Sequence, residues 1–281
     1  MKNYCTKLFC HASVIALAWA IQAQATTVTV TPSDMQGWSF WSLNNTYTGP
    51  QPGSTGAMVT GPATPPLGVG SAELSTAPNG GDGGVGLTTG AYDGTLLSSL
   101  GTLSYSTYDT ANNGQQFPYL AINVDLNDGS GNQDTLFFEP PYQTPAAGGP
   151  TIPDQGAPVM NEWQTWDASE GGWWDNNDVL GTGGYDEVGF LSAFEALYPN
   201  ATVADSDAPF GFIDGVTLQV GFADTNTETG YVDDFSVGST TYDFEPDVSS
   251  VPEPTTVIAG AFLLLPLGIS VLRKLSKKQT A

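Results

Sequence analysis

The sequence predicts an all-β fold: a two-sheet, jelly-roll-like sandwich with long loops, flanked by a cleavable signal peptide and a C-terminal transmembrane helix. Apolar and polar residues alternate with a period of two in several segments, as in residues 120–126 and 216–222, which indicates strands with one buried face. Turn sequences rich in Gly, Asn and Ser separate these segments. About 225 residues lie between the two apolar ends, enough to bury the core of one domain.

The predicted strands follow one another along the chain at 27–31, 71–74, 103–108, 120–126, 134–139, 216–222, 231–237 and 240–244. Residues 127–131 (Asn-Asp-Gly-Ser-Gly) predict one hairpin and residues 238–239 (Gly-Ser) another. Only residues 191–198 have helical spacing, and a proline ends that segment. Because Gly, Pro, Ser and Thr dominate residues 49–90, we expect long surface loops or a flexible linker there, interrupted by one short strand.

Residues 1–25 have the three parts of a secretory signal peptide. A segment with two lysines precedes an apolar run at 8–21, and Ala23 and Ala25 offer small residues at the cleavage positions. We therefore expect the mature chain to begin at Thr26.

The C-terminal end predicts a membrane anchor. An uncharged apolar run, 255–272, covers roughly 27 Å as a helix, close to the hydrocarbon thickness of a bilayer. The tail 273–281 carries four cations, which the positive-inside rule keeps in the cytoplasm: Arg273, Lys274, Lys277 and Lys278. Residues 26–245 are then an ectodomain on the far side of that membrane. Residues 246–254 are a linker.

The linker ends in Val251, Pro252, Glu253 and Pro254. This motif, one hydrophobic span and a basic tail, in that order, resemble the PEP-CTERM sorting signal of Gram-negative bacteria. The resemblance implies export through the inner membrane, a periplasmic ectodomain and an exosortase as partner. It further implies removal of the tail near the motif, and release or attachment at the cell surface beside exopolysaccharide production. The alternative is an ordinary single-pass anchor.

Residues 26–250 contain no Lys, Arg, His or Cys, because all of these lie in the two terminal segments. The same region holds 28 of the 29 acidic residues, the other being Glu253. This composition excludes Ser-His-Asp triads, thiolate or histidine zinc sites, disulfides and arginine phosphate clamps. It also excludes nucleic acid as a partner, because such a charge repels polyanions unless cations bridge them. The acidity indicates either calcium bridging or solubility alone.

Four tryptophans lie close together in the sequence and among acidic residues: Trp163, Trp166, Trp173 and Trp174. Indole faces stack on sugar rings while carboxylates accept hydroxyl hydrogens, so the pattern predicts a carbohydrate site. Core packing is the alternative interpretation. Adjacent residues of a strand face opposite ways, so we expect Trp173 or Trp174 to point outward.

Oxygen-bearing side chains suggest a calcium site without the spacing of an EF-hand. The candidate ligands are Asp125, Asn127, Asp128, Asp134 and Asp233. For residues 125–134, a solvated hairpin with Asx turns is the alternative. Alternation places Asp233 on one face with Tyr231 and Phe235. There it needs a metal, or backbone N–H or Tyr donors, since no Lys or Arg is present.

Short segments carry a second resemblance: residues 61–71, 103–108, 136–140, 163–167 and the pair at 173–174. They are similar to one set of secreted bacterial ectodomains that often carry this sorting signal. The resemblance implies a common β-sandwich and no assigned reaction.

Together these observations predict a non-enzymatic cell-surface or matrix protein associated with exopolysaccharide or biofilm. A carbohydrate-binding module is the first alternative. A glycoside hydrolase that uses two of Glu139, Glu162 and Glu170 is the second, since this mechanism needs only carboxylates.

Overall fold

The computed structural model describes residues 25–77, 83–112, 116–178, 188–205, 215–222 and 226–247. The body of the predicted signal peptide, the sorting motif, the predicted membrane helix and the basic tail lie outside these residues. Within the described ranges, no helix is long and apolar enough to cross a membrane.

The described residues form fifteen strands and one short α-helix. The strands are β1 (Thr26–Val30), β2 (Trp38–Leu43), β3 (Thr55–Thr60), β4 (Gly70–Ser75), β5 (Gly84–Thr89), β6 (Leu103–Ala111), β7 (Tyr119–Asp125), β8 (Gln133–Phe138), β9 (Gln164–Asp167), β10 (Gly172–Asp175), β11 (Gly189–Phe190), β12 (Thr202–Val203), β13 (Val216–Gly221), β14 (Thr229–Val237) and β15 (Thr240–Phe244). The helix α1 covers Leu191–Leu197, and short 3-10 turns cover Leu97–Ser99 and Pro140–Tyr142. The all-β prediction is confirmed.

The smaller, seven-stranded sheet is built around β14. One edge of β14 pairs with β6, which in turn pairs with β9. Its other edge pairs with β4 along the first half and with β15 along the second half. β3 extends the sheet beyond β4, and β1 runs parallel to β15, so the first and last strands lie side by side.

The larger sheet has eight strands in the order β11-β10-β8-β7-β13-β5-β2, with β12 beside β7. The predicted hairpin at 127–131 is present, since β7 and β8 are antiparallel with Asp125 opposite Gln133. The hairpin at 238–239 is present too and joins β14 to β15.

The hydrophobic core lies between the two sheets. Trp38 of the larger sheet meets Phe235, Tyr242 and Phe244 of the smaller sheet edge-on, at ring distances of 5.6, 5.2 and 5.3 Å. Such edge-to-face contacts add to the stabilisation that burial of the rings supplies. The two sheets therefore form a sandwich-like pair, as predicted.

The prediction for residues 49–90 is wrong in part, because the segment contains β3, β4 and β5. β5 is wholly buried and pairs with β2 and β13. A Cβ on Gly84 would lie 2.2 Å from the Phe222 ring, and one on Gly86 would lie 2.6 Å from the Trp41 ring. These glycines therefore make room for aromatic rings instead of marking a loop.

The prediction of one buried face per strand is also wrong for β13. All six residues of this strand are buried, including Thr217 and Gln219 on the side away from the core. Trp41 covers part of that side and donates its indole N–H to Thr217 Oγ1 at 3.1 Å. The outer face of the larger sheet thus carries its own packed layer.

Candidate functional site

Two of the four predicted tryptophans belong to the core. Trp166 and Trp173 are fully buried. The Trp166 indole donates to Thr107 Oγ1 at 2.8 Å, and the Trp173 indole donates to the Ala168 carbonyl at 2.8 Å. Both polar groups are satisfied internally, so these two residues follow the core-packing alternative.

The other two tryptophans keep partial exposure but lie on different sheets. Trp163 precedes β9 of the smaller sheet, packs against Tyr108 at 5.5 Å and donates to the Pro62 carbonyl at 2.9 Å. Trp174 is on β10 of the larger sheet. The four tryptophans therefore do not form one patch, while Trp173 and Trp174 do face opposite ways.

Six aromatic rings run across the outer face of the larger sheet. We call them the aromatic strip: Trp41, Tyr47, Tyr119, Phe137, Trp174 and Phe222. At one end Trp174 stacks on Phe137 with ring centroids 4.1 Å apart and an interplanar angle of 18°. Phe137 in turn contacts Tyr119 at 6.2 Å.

At the other end of the strip, Phe222 lies between two stacked neighbours. Its ring centroid is 6.0 Å from that of Trp41 and 5.8 Å from that of Tyr47, with angles of 27° and 29°. Tyr119 connects the two ends, because its hydroxyl donates to the Gly221 carbonyl at 3.3 Å and it interacts electrostatically with Tyr47.

The strip has a buried layer and an exposed layer. Trp41 and Tyr119 are 7% and 6% exposed and support the other rings. Tyr47 is 42% exposed, and Phe137, Trp174 and Phe222 are partly exposed. The strip therefore presents ring surface to solvent at each end.

Two carboxyl groups border the strip near Tyr119. Glu139 Oε1 accepts the Trp174 indole N–H at 3.2 Å, and Glu228 Oε2 accepts the Gly221 N–H at 2.9 Å. Desolvation raises the pKa of Glu139 to about 7, although the residue as a whole keeps some exposure. Burial raises the pKa of Tyr119 well above its usual value, and the two carboxylates raise it further. Glu228 is 1% exposed whereas Glu139 is partly exposed, so Glu139 is the oxygen acceptor that a ligand beside these rings can reach.

The carboxylates proposed for hydrolysis lie on different sheets. Glu139 follows β8 of the larger sheet, whereas Glu162 and Glu170 are exposed on either side of β9 in the smaller sheet. Glu170 lines an open depression of about 610 Å³ together with Trp166 and Asp167.

The hairpin residues of the predicted calcium site form Asx turns. Asp125 Oδ1 accepts the Asn127 N–H at 3.0 Å, and Asp128 Oδ1 accepts the Ser130 N–H at 2.8 Å. The Asn127 amide donates to Thr202 Oγ1 at 2.8 Å. Among the described residues, no three His, Cys, Asp or Glu side chains gather in an arrangement suited to a metal ion.

Asp134 is buried on the core side of β8, next to Asp175 of β10. Desolvation and the neighbouring carboxyl raise the pKa of Asp134 to about 7, while the Thr135 N–H opposes this shift. Asp134 therefore loses its proton less readily than an exposed Asp does.

Asp233 lies in the smaller sheet, away from the hairpin. It is fully buried and accepts the Leu67 and Phe244 N–H groups at 3.0 and 3.1 Å. Desolvation raises its pKa to about 7 in spite of these bonds. A β-bulge follows, with Asp234 at φ 54°, so Phe235 turns into the core. The prediction that Asp233 shares a face with Phe235 is therefore wrong.

Carboxylates also form hydrogen bonds with backbone N–H groups of the loop 61–70, which precedes β4. Glu245 Oε1 accepts the Val69 and Gly70 N–H groups at 2.6 and 3.1 Å. Gly68 has a φ of 52°, and a Cβ there would lie 1.6 Å from Glu245 Oε1. In a region without Lys or Arg, backbone N–H groups thus serve as the partners of buried acids.

The sequence predicted only Trp174 of the six strip residues as part of a binding site. Phe222 looked like an inward residue of its strand, but Gly221 and Phe222 both have positive φ, and the ring turns to the outer face. Tyr119 and Phe137 occupy the polar phase of their strands, where aromatic residues are the signal to look for.

No protein-family model and no curated protein sequence matches this chain.

Proposed function

We propose that this chain is an exported, non-enzymatic surface or matrix protein that binds polysaccharide through the aromatic strip. The proposal includes a jelly-roll form of the sandwich, removal of residues 1–25, and sorting by an exosortase that recognises residues 251–254. The terminal segments of the sequence support export from a Gram-negative cell, with 255–272 as a temporary membrane anchor.

The Trp174–Phe137 stack beside Glu139 is the observation that carries the binding proposal. Sugar rings have apolar faces that pack on aromatic rings, and their hydroxyl groups donate to carboxylates. Both features occur together at Trp174. Its ring is stacked on Phe137, and the carboxyl group of Glu139 lies beside it and accepts its indole N–H. A rigid aromatic ring loses little entropy on binding, so stacking energy is retained.

The charge of the ectodomain favours a neutral glycan over nucleic acid. Residues 26–250 carry 28 acidic side chains and no Lys or Arg. Neutralisation of phosphates by Lys and Arg provides most of the affinity of proteins for nucleic acids.

A glycan array with the purified chain tests the binding proposal. Trp174→Ala is expected to abolish the signal, because the stacking ring is removed. Trp163→Ala is the matched control, since Trp163 is also partly exposed but lies on the other sheet. Equal binding by both variants, or no glycan bound by the parent chain, would exclude this function for the strip.

Cell fractionation tests the sorting proposal separately. Replacing Pro252, Glu253 and Pro254 by alanine is expected to leave the uncleaved chain in the inner membrane. Normal cleavage and surface delivery of that variant would contradict recognition of the motif.

A further inference from the structure

We infer that the aromatic strip binds the interior of an extended neutral polysaccharide chain, with Tyr47 and Phe222 forming a second contact beyond Trp174 and Phe137. This inference rests on the proposed function and specifies its substrate class.

The first argument is the distance between the two ends of the strip. Trp174 lies on β10 and Phe222 directly follows β13, and three strand-to-strand steps separate these two strands. At about 4.8 Å per step, the two contact positions are about 14 Å apart. A single sugar ring is about as wide as one aromatic ring, so one sugar cannot contact both ends. A chain of several sugars lying across the strands can.

The second argument is that both ends are built in the same way. At each end an accessible ring stacks on another ring: Trp174 on Phe137, and Tyr47 on Phe222. At the second end, the Phe222 ring packs directly over Gly84, which has no side chain to occupy that space. Two preformed stacking positions joined through buried Tyr119 favour a ligand with repeated, similar units.

The third argument is the sign of the charge. Glu139 and Glu228 border the middle of the strip, and the negative charge of both raises the pKa of Tyr119. With no Lys or Arg in residues 26–250, the strip has no cationic side chain to offset uronate or sulfate groups. Polysaccharides that carry such groups are repelled, while neutral hydroxyl groups can donate to the partly exposed Glu139.

Titration calorimetry on the full chain in detergent tests this inference. The probes are a ladder of neutral β-linked hexose oligosaccharides, from disaccharide to octasaccharide, and an oligogalacturonate ladder of the same lengths. We expect affinity to rise with length for the neutral ladder only. Tyr47→Ala is expected to remove most of that rise, about tenfold for the octasaccharide, while leaving the disaccharide unchanged. Tyr47→Phe keeps the ring and should retain the rise.

Each of the alternative results below would contradict one named part of the inference. Equal affinity for short and long neutral oligosaccharides, or a length dependence that survives Tyr47→Ala, refutes the extended site while leaving the proposed function intact. Tighter binding of the acidic ladder refutes the neutral class. Absence of binding to every probe refutes both proposals. Self-association of the chain that disappears in Tyr47→Ala would make the strip a contact between two copies. Thermal unfolding of each variant verifies that it is folded.

Discussion

Lowering the pH from 7 to 5 should stabilise this protein, because four desolvated carboxyl groups bind protons more tightly in the folded chain than in the unfolded chain. Desolvation raises the pKa of each to about 7: Asp109, Asp134, Glu139 and Asp233. Their ordinary values are 3.8 for Asp and 4.5 for Glu. A raised folded-state pKa gives stability that is fully present below about pH 4 and is lost as the pH rises through 7.

The magnitude follows from proton linkage. Where a group is protonated in the folded chain and ionised in the unfolded chain, the free energy of unfolding changes by about 1.4 kcal/mol per pH unit. For Asp233, which is fully buried, the gain between pH 7 and pH 5 is about 2 kcal/mol. The other three groups act in the same direction, so the total gain is several kcal/mol as an upper bound.

Urea unfolding of the purified chain at intervals between pH 5 and pH 7 measures this slope. Glu139→Gln is expected to make the slope shallower by about one proton, because the amide still accepts the Trp174 N–H but does not titrate. Asp128→Asn is the matched control, since Asp128 is exposed and its pKa is lowered. Salt screens the general repulsion among surface acids, so the slope that remains in high salt belongs to the buried groups. Stability that is constant or rises with pH would refute the reasoning.

Two further predictions concern packing and cations. Gly86→Ala is expected to destabilise the fold by about 1–3 kcal/mol in urea unfolding, because the new methyl group would overlap Trp41. Gly49→Ala should stay within about 0.5 kcal/mol, since a methyl group there meets open space. Millimolar calcium is expected to leave the Tm at its value in a sodium chloride control of equal ionic strength, because Asp125 and Asp233 already accept backbone N–H groups. A larger shift, reversed by EDTA, would reveal a specific site.

The strands with regular alternation could be predicted from sequence, because every second residue points to the core without interruption along the strand. The segment 49–90 could not, because its glycine content has a cause elsewhere in the chain. Gly84 and Gly86 are needed where the Phe222 and Trp41 rings lie against β5, and composition alone does not show which rings those are. Local sequence therefore indicated a loop where tertiary packing requires a strand.

The candidate site was predictable only at Trp174, through the rule that neighbours on a strand face opposite ways. The other tryptophans could not be sorted, because burial depends on which strand pairs with which. Phe222 was missed because Gly221 and Phe222 both have positive φ angles. This backbone turn moves the Phe222 ring from the core face of the sheet to the outer face. The bulge at Asp234 has the same effect on Phe235. Alternation predicts a face only while the backbone stays regular.

The side-by-side arrangement of β1 and β15 has a mechanical consequence if the C-terminal end is attached to the cell surface as proposed. β15 is hydrogen-bonded on both edges, to β14 and to β1, and Asp247 beyond it accepts the Ser33 N–H at 3.1 Å and hydroxyl at 2.6 Å. If polysaccharide on the strip pulls against that anchor, tension runs along β15 and loads its cross-strand bonds together in shear. Bonds loaded in shear must break together, whereas bonds at a peeling edge open one after another. On the proposed function, the last strand would carry the force between bound polysaccharide and the attached C-terminal end.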